Sequence, residues 1–114
     1  MNILTELTPL IEGLGLPVET GVFSGVAPDE YIVITPLLDD FMFFGDDRPE
    51  FESQEVRLSL YSKGNYLAMK DKVQQALLAA DFAITERRYI GHEDDTRYHH
   101  YAIDCAKIYS IKGG

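Results

Sequence analysis

The chain has 114 residues, of which 46% are hydrophobic and 25% charged, so it has enough apolar material for one folded domain and too little length for a second. Ten Lys and Arg stand against 19 Asp and Glu, and the resulting net charge of −9 argues against a protein that grips nucleic acid through its phosphates. A single cysteine allows no internal disulfide, no segment approaches the roughly 20 apolar residues of a membrane span, and the N-terminus lacks a basic secretory start, so we expect a protein of the reducing cytoplasm.

The chain begins with a predicted amphipathic helix. Apolar residues recur at intervals of three and four over residues 3–14, with Thr and Glu between them. Pro9 falls inside this pattern and lacks a backbone donor, so the helix is either kinked or starts later than the spacing suggests. The sequence Gly-Leu-Gly-Leu-Pro at residues 13–17 then ends it.

Two strands are predicted next, followed by a departure from the sheet. A short, weakly patterned strand covers Val18 to Phe23, and a stronger one covers Tyr31 to Thr35. Pro36 is expected to end the second strand, since proline cannot donate to a strand ladder. We expect a long excursion from Leu37 to Glu50.

A third strand and a second helix follow. From Phe51 to Lys63, apolar and polar residues alternate, which puts Val56, Leu58 and Leu60 on one face. A helix is then predicted over residues 66–80. Its N-cap is Asn65, and apolar residues again recur at helical spacing.

The chain closes with a predicted hairpin. One strand covers residues 82–90, a polar connection covers residues 91–96, and the last strand covers residues 98–111. Alternate residues of the last strand are apolar, but Ile108 falls on the opposite parity, so we expect a bulge or a strand end near Lys107.

The element order is therefore α-β-β-β-α-β-β. With few helices and mostly short connections, this order favours an α+β fold in which an antiparallel or mixed sheet of about five strands carries two helices on one face. No internal repeat or linker divides the chain, so residues 1–114 are expected to form one domain.

Reactive side chains give no convincing catalytic or metal site. His99 and His100 are adjacent on a strand and point to opposite faces, and the turn between His92 and His99 has a geometry that the sequence does not fix. Cys105 lies on an apolar face, where it is expected to pack as a small hydrophobic side chain, and Ser24 has no supporting signature. We therefore expect no enzyme activity, no metal and no cofactor, and assign no role to the three histidines.

The segment from residue 37 to residue 52 is the most unusual in the chain. It combines four aromatic residues and a methionine with six acids. Either the apolar side chains are exposed at a partner contact, or the segment folds back as a short strand that covers the sheet. The residues expected at such a contact are Phe41, Met42, Phe43 and Phe44, and the acids expected to remain exposed are Asp39, Asp40, Asp46, Asp47 and Glu50.

The order and spacing of these elements resemble the tail-completion proteins of long-tailed bacteriophages and prophages, which include tail terminators and head-to-tail joining proteins. The resemblance covers nearly the whole chain. It rests on the leading helix and on four further segments, which are the strand Asp29–Pro36, the strand Glu55–Ser62, the helix Tyr66–Ala80 and the hairpin that closes with Tyr101–Asp104.

The resemblance implies a structural protein rather than an enzyme. Its subunits would form a ring, commonly of six, that ends the tail tube and joins it to the head connector, with DNA passing through without specific binding. The implied partners are further copies of the chain, the tube protein and the connector proteins, and the implied place is the virion tail, assembled in the host cytoplasm. On this reading the acids of the 37–52 segment face the channel or the neighbouring subunit, and its phenylalanines lie at a subunit contact.

Two other functions stay open on the sequence. One is a small cytoplasmic α+β binding module whose acidic, aromatic segment recognises a basic protein or a small ligand. The other is a metal-dependent enzyme built on His92, His99 and the neighbouring acids.

Overall fold

The computed structural model describes residues 2–21, 25–42 and 50–110, and it has the predicted order of elements. In chain order the elements are α1 (Ile3–Glu12), β1 (Val18–Thr20), β2 (Glu30–Met42), β3 (Phe51–Ser62), α2 (Tyr66–Ala79), β4 (Ala83–His92) and β5 (His99–Ser110).

The five strands form one mixed sheet in the order β1-β2-β3-β5-β4. β1 runs parallel to β2, and all other neighbours are antiparallel. Apolar residues of both helices and of one sheet face share a single core, so α1 and α2 cover the same face, which we call the helix face. The opposite face, which neither helix covers, is the open face. The α+β prediction is confirmed.

Both helices begin at an asparagine cap, because a side-chain oxygen there satisfies a free backbone N–H of the first turn. Oδ1 of Asn2 accepts from the N–H of Thr5 at 3.0 Å, and Oδ1 of Asn65 accepts from the N–H of Ala68 at 3.2 Å. Pro9 lies inside α1, which begins at Ile3, so of the two predicted alternatives, a kink or a later start, the later start is wrong.

Pro36 does not end β2, contrary to the sequence prediction. The strand continues to Met42 through a register shift, in which Pro36 pairs with Val56 and Leu38 pairs with Glu55, leaving Leu37 as the extra residue. A proline is tolerated here because β1 pairs with β2 only as far as Ile34, so β2 has a free edge beyond that point in the described part of the chain. The excursion expected from residue 37 is therefore strand up to residue 42, and residues 43–49 lie outside the described residues.

Neither the bulge nor the strand end predicted near Lys107 is found, since β5 continues to Ser110. β3 and β5 pair without a register shift from Phe51 opposite Ser110 to Ser62 opposite His99. Lys107 occupies a helix-face position, and Ile108 is an exposed residue of the open face. The register shifts lie instead in β4, between Ile84 and Glu86 and between Tyr89 and Gly91.

Candidate interaction surface

The described ends of the β2–β3 hairpin extend past the part of the sheet that the helices bury. We call residues 37–42 and 50–55 the arm. In β2 the exposure changes abruptly: Ile34 is fully buried, and residues 35–41 are all exposed. The arm contributes to an elongated molecule of 53 × 24 × 23 Å.

The arm holds part of the predicted contact segment. Phe41 lies in β2 opposite Glu52 and is 58% exposed, and Met42 is half-buried opposite Phe51. The other two aromatic residues of the predicted contact, Phe43 and Phe44, lie outside the described residues.

The acids of the segment lie on both faces of the arm. Asp39 pairs with Gln54 on the helix face, Asp40 pairs with Ser53 on the open face, and both aspartates are exposed. Glu50 is half-buried directly before β3. The remaining two predicted acids, Asp46 and Asp47, lie outside the described residues.

Two further exposed apolar residues lie beside these acids and are not among the residues predicted at the contact. Leu38 is 57% exposed and Ile108 is 54% exposed, and both lie on the open face with β3 between them. The parity of Ile108 was the available signal for its exposure. An apolar residue at a strand position whose parity predicts an outward side chain has two explanations. Either its side chain is exposed, or the strand contains a bulge.

The base of the arm is fixed to the helices by polar contacts that are buried or half-buried. Oε1 of Gln54 accepts from the N–H of Ile3 at 2.7 Å, which satisfies one of the free donors at the start of α1. On β5, Nζ of Lys107 donates to Oε2 of Glu6 and, at 2.8 Å, to the carbonyl of Ala80, while the hydroxyl of Tyr109 donates to Oε1 of Glu6 at 3.0 Å. The Lys107 hydrogen bond holds the pKa of Glu6 below its ordinary value.

An ion pair occupies the middle of the open face. Arg57 and Asp104 form a bidentate pair, with Nε to Oδ1 at 2.8 Å and Nη2 to Oδ2 at 3.0 Å. Although no helix covers this face, Val33, Ser59 and Ala102 are buried among its larger side chains. The side chains in this part of the open face are therefore packed together, and most of their polar groups have hydrogen-bond partners.

An aromatic stack continues the open face toward the β4–β5 turn. The rings of Tyr31 and Tyr61 stack at 4.7 Å, and the ring of His100 stacks on Tyr61 at 4.4 Å. Tyr98 meets Tyr31 edge-on and donates to the carbonyl of Pro28 at 2.5 Å. Burial lowers the pKa of His100 and raises the pKa of Tyr61. Nε2 of His100 has no hydrogen-bond partner among the described residues.

Among the described residues, two edges of the sheet have no strand partner, and these edges differ in charge. Along the arm, the edge of β2 carries Asp39 and Asp40. At the other end of the strand order, no described strand pairs with the outer side of β4, which carries Arg87 and Arg88 and one acid, Glu86. Nη1 of Arg87 donates to Oε1 of Gln74 at 2.6 Å on the helix face, and Arg88 lies 3.7 Å from Glu86 on the open face.

The remaining predicted reactive residues are separated in the fold. Cys105 is fully buried, and burial raises the pKa of its thiol to about 12. His100 lies on the open face, whereas His92 and His99 lie together on the helix face. Ser24 is outside the described residues. Within the described ranges, no three His, Cys, Asp or Glu side chains converge in a metal-binding arrangement.

Neither α1 nor α2 is long and apolar enough to cross a membrane, and the described residues contain no other helix. No protein-family model matches the sequence, and no curated protein matches it significantly.

Proposed function

We propose that this protein is a structural subunit that assembles with copies of itself into a ring, and that the ring ends a phage or prophage tail tube and joins it to the head connector. The observation that carries the proposal is the pair of unlike free edges on one sheet. The acidic β2 edge of the arm and the basic β4 edge lie at opposite sides of the sheet.

Two different free edges are what a ring contact needs. When one surface of a subunit binds a different surface of the next, the assembly closes into a ring if the rotation per subunit divides the circle, and otherwise grows as an open filament. An open strand edge supplies unpaired backbone N–H and C=O groups that a neighbouring strand satisfies. Pairing the β2 edge of one subunit with the β4 edge of the next would join the sheets of neighbouring subunits.

Charge and exposed apolar area support this pairing. Asp39 and Asp40 of one subunit would lie near Arg87 and Arg88 of the next, whereas contact between two identical edges would bring like charges together. Four of the nine exposed large apolar residues in the described part of the chain lie on the arm or beside it, which is the type of surface that a partner covers. They are Leu37, Leu38, Phe41 and Ile108.

The acidic character suits a DNA passage. A net charge of −9 on each subunit repels phosphates, so a duplex inside the ring would slide rather than bind. In this proposal the arm acids that the edge contact leaves exposed face the channel.

The first test is a charge swap followed by mass photometry and negative-stain electron microscopy of the untagged protein. We expect closed rings from the natural chain, with an opening that admits a DNA duplex. The variant D39K/D40K and the variant R87E/R88E should each lose the ring, because each brings like charges together. Combining all four substitutions should restore it. Rings that persist in both partial variants would exclude the edge pairing.

Matched controls separate a local effect from a general one. Asp71→Lys changes an exposed acid of α2 and should leave the ring intact. Leu38→Asp should prevent assembly, while Leu67→Asp, on α2 and 51% exposed, should not. A natural chain that stays monomeric at every concentration and binds a basic protein or a small ligand would replace the ring proposal with the binding-module alternative.

A further inference from the structure

The hairpin β4–β5 places two histidines side by side at its end. His92 and His99 are directly opposed Cα partners in the antiparallel ladder, and their ring centroids are 4.7 Å apart. This arrangement could not be predicted from the sequence, because the length of the turn between the two histidines permits several registers of β4 against β5.

A bulge in β4 brings His92 to this face. Tyr89 pairs with Tyr101 on the helix face, and in a regular strand a residue three positions further on would point to the opposite face. The register shift between Tyr89 and Gly91 adds one residue, so His92 returns to the face of Tyr89 and lies beside His99. Bulges often re-aim a side chain next to a site in this way.

Hydrogen bonds leave one nitrogen of each ring free in the described structure. Nδ1 of His92 lies 3.1 Å from Oδ1 of Asp94, and Nδ1 of His99 lies 3.0 Å from the hydroxyl of Tyr89. A carboxylate on one ring nitrogen orients the imidazole and favours coordination through the other, which is the arrangement that supports histidine ligands in metal sites.

The separation of the rings fits two ligands to one ion. For an ion bound by the free nitrogen of both rings, a metal–nitrogen bond of about 2.1 Å puts each ring centroid about 3.2 Å from the ion, and a centroid separation of 4.7 Å would then correspond to an angle of about 95° at the metal. An angle close to 90° suits neighbouring positions of a tetragonal or octahedral site. Imidazole pairs bind late first-row divalent ions most strongly.

We propose that His92 and His99 form a two-histidine site for a late first-row divalent cation, with Cu²⁺ or Ni²⁺ preferred over Zn²⁺. The ion would cross-link β4 and β5 at their turn, and water would complete its coordination. The site lies at the end of β4 and is independent of the ring proposal.

The test is calorimetric titration of the untagged protein with CuCl₂, NiCl₂ and ZnCl₂. We expect saturable binding of one ion per chain, and a rise in the melting temperature of about 5 °C or more at saturating metal, because the ion binds the folded hairpin and not the unfolded chain. His92→Gln and His99→Gln should each weaken binding by more than about tenfold and abolish the temperature rise.

His100→Gln is the matched control, because it removes the neighbouring histidine on the open face. This variant should bind metal as the natural chain does. Circular dichroism of all three variants establishes that the fold is retained. Binding that survives in both His92→Gln and His99→Gln, or that is lost in folded His100→Gln, would overturn the site. A natural chain that shows no saturable binding of any of the three ions would also overturn it.

Discussion

Lys107 connects three separate parts of the fold through one ammonium group. It donates to Glu6 on α1 and to the carbonyl of Ala80 at the end of α2, and its Nζ lies 4.5 Å from the centre of the Phe82 ring. The sequence predicts a bulge or a strand end beside this residue, because Ile108 falls on the opposite parity to the apolar residues before it. The helix-face position of Lys107 is explained by its partners, which are 27 and 101 residues away in the chain. No local pattern contains that information.

The ion pair between Glu6 and Lys107 predicts how the stability of the fold changes as the pH falls. Because the pKa of Glu6 is lowered from its ordinary 4.5, ionised Glu6 stabilises the folded state at higher pH, and this stabilisation is lost as the pH falls through its folded pKa. Glu6→Gln should reduce the free energy of unfolding at pH 7 by about 1 kcal/mol and flatten its decline below pH 5. Urea denaturation between pH 3 and pH 7 measures both effects.

A control on the same helix makes this test specific. Glu12 is exposed, and Glu12→Gln should leave the acid decline as steep as in the natural chain. If Glu6→Gln and the natural chain lost stability in parallel between pH 5 and pH 3, the contact with Lys107 would not contribute to acid sensitivity.

At the scale of elements, α2 could be predicted closely from this sequence, whereas the bulges of β4 could not. The helix was predicted within one residue of its observed end, because Asn65 caps it and apolar residues recur on one side over its whole length. In β4 the extra residues are Thr85 and Ile90, and neither has a side chain that marks a bulge. The continuation of β2 past Pro36 could not be predicted either. Proline usually ends a strand, and here it is tolerated because it lies at a free edge that only the tertiary pairing of the strands creates.

Two adjacent leucines of α2 test the position of the core. Leu77 is fully buried and Leu78 is 51% exposed. Leu77→Asp should lower the free energy of unfolding by more than about 4 kcal/mol, because it removes core packing and buries a charge. Leu78→Asp should change it by less than about 0.5 kcal/mol. Thermal melts of the two variants give the comparison, and equal melting temperatures would contradict the orientation of α2.

The whole molecule is longer than its chain length requires. A compact domain of this size has a radius of gyration of about 13 Å, whereas the Cα atoms here give 15.5 Å. The candidate interaction residues could be selected from the sequence because phenylalanines and acids are concentrated in one segment. The extension of the arm that carries them away from the body could not be predicted, because it depends on β2 and β3 remaining paired beyond the helices.

Small-angle X-ray scattering tests this extension directly. At a concentration where size-exclusion chromatography with light scattering shows only monomers, we expect a radius of gyration of at least about 15 Å. The charge-reversed variant R87E/R88E serves as a second monomer sample and should give the same value. A radius near 13 Å would mean that the arm folds against the body, and the edge of β2 would then be covered.

The two bulges of β4 also determine which changes in length this hairpin accepts. Each bulge reverses the alternation of inward and outward side chains, so residues 86–89 are out of phase with both ends of the strand, and the second reversal cancels the first. Deleting Thr85 alone would remove the first bulge and let Ile84 and Glu86 pair in succession with Cys105 and Asp104, so every later residue of β4 would keep its face. Deleting Ile90 would remove the second bulge in the same way and leave His92 opposite His99. Homologous hairpins should therefore lose a single residue at either bulge more readily than within the regular stretch between them.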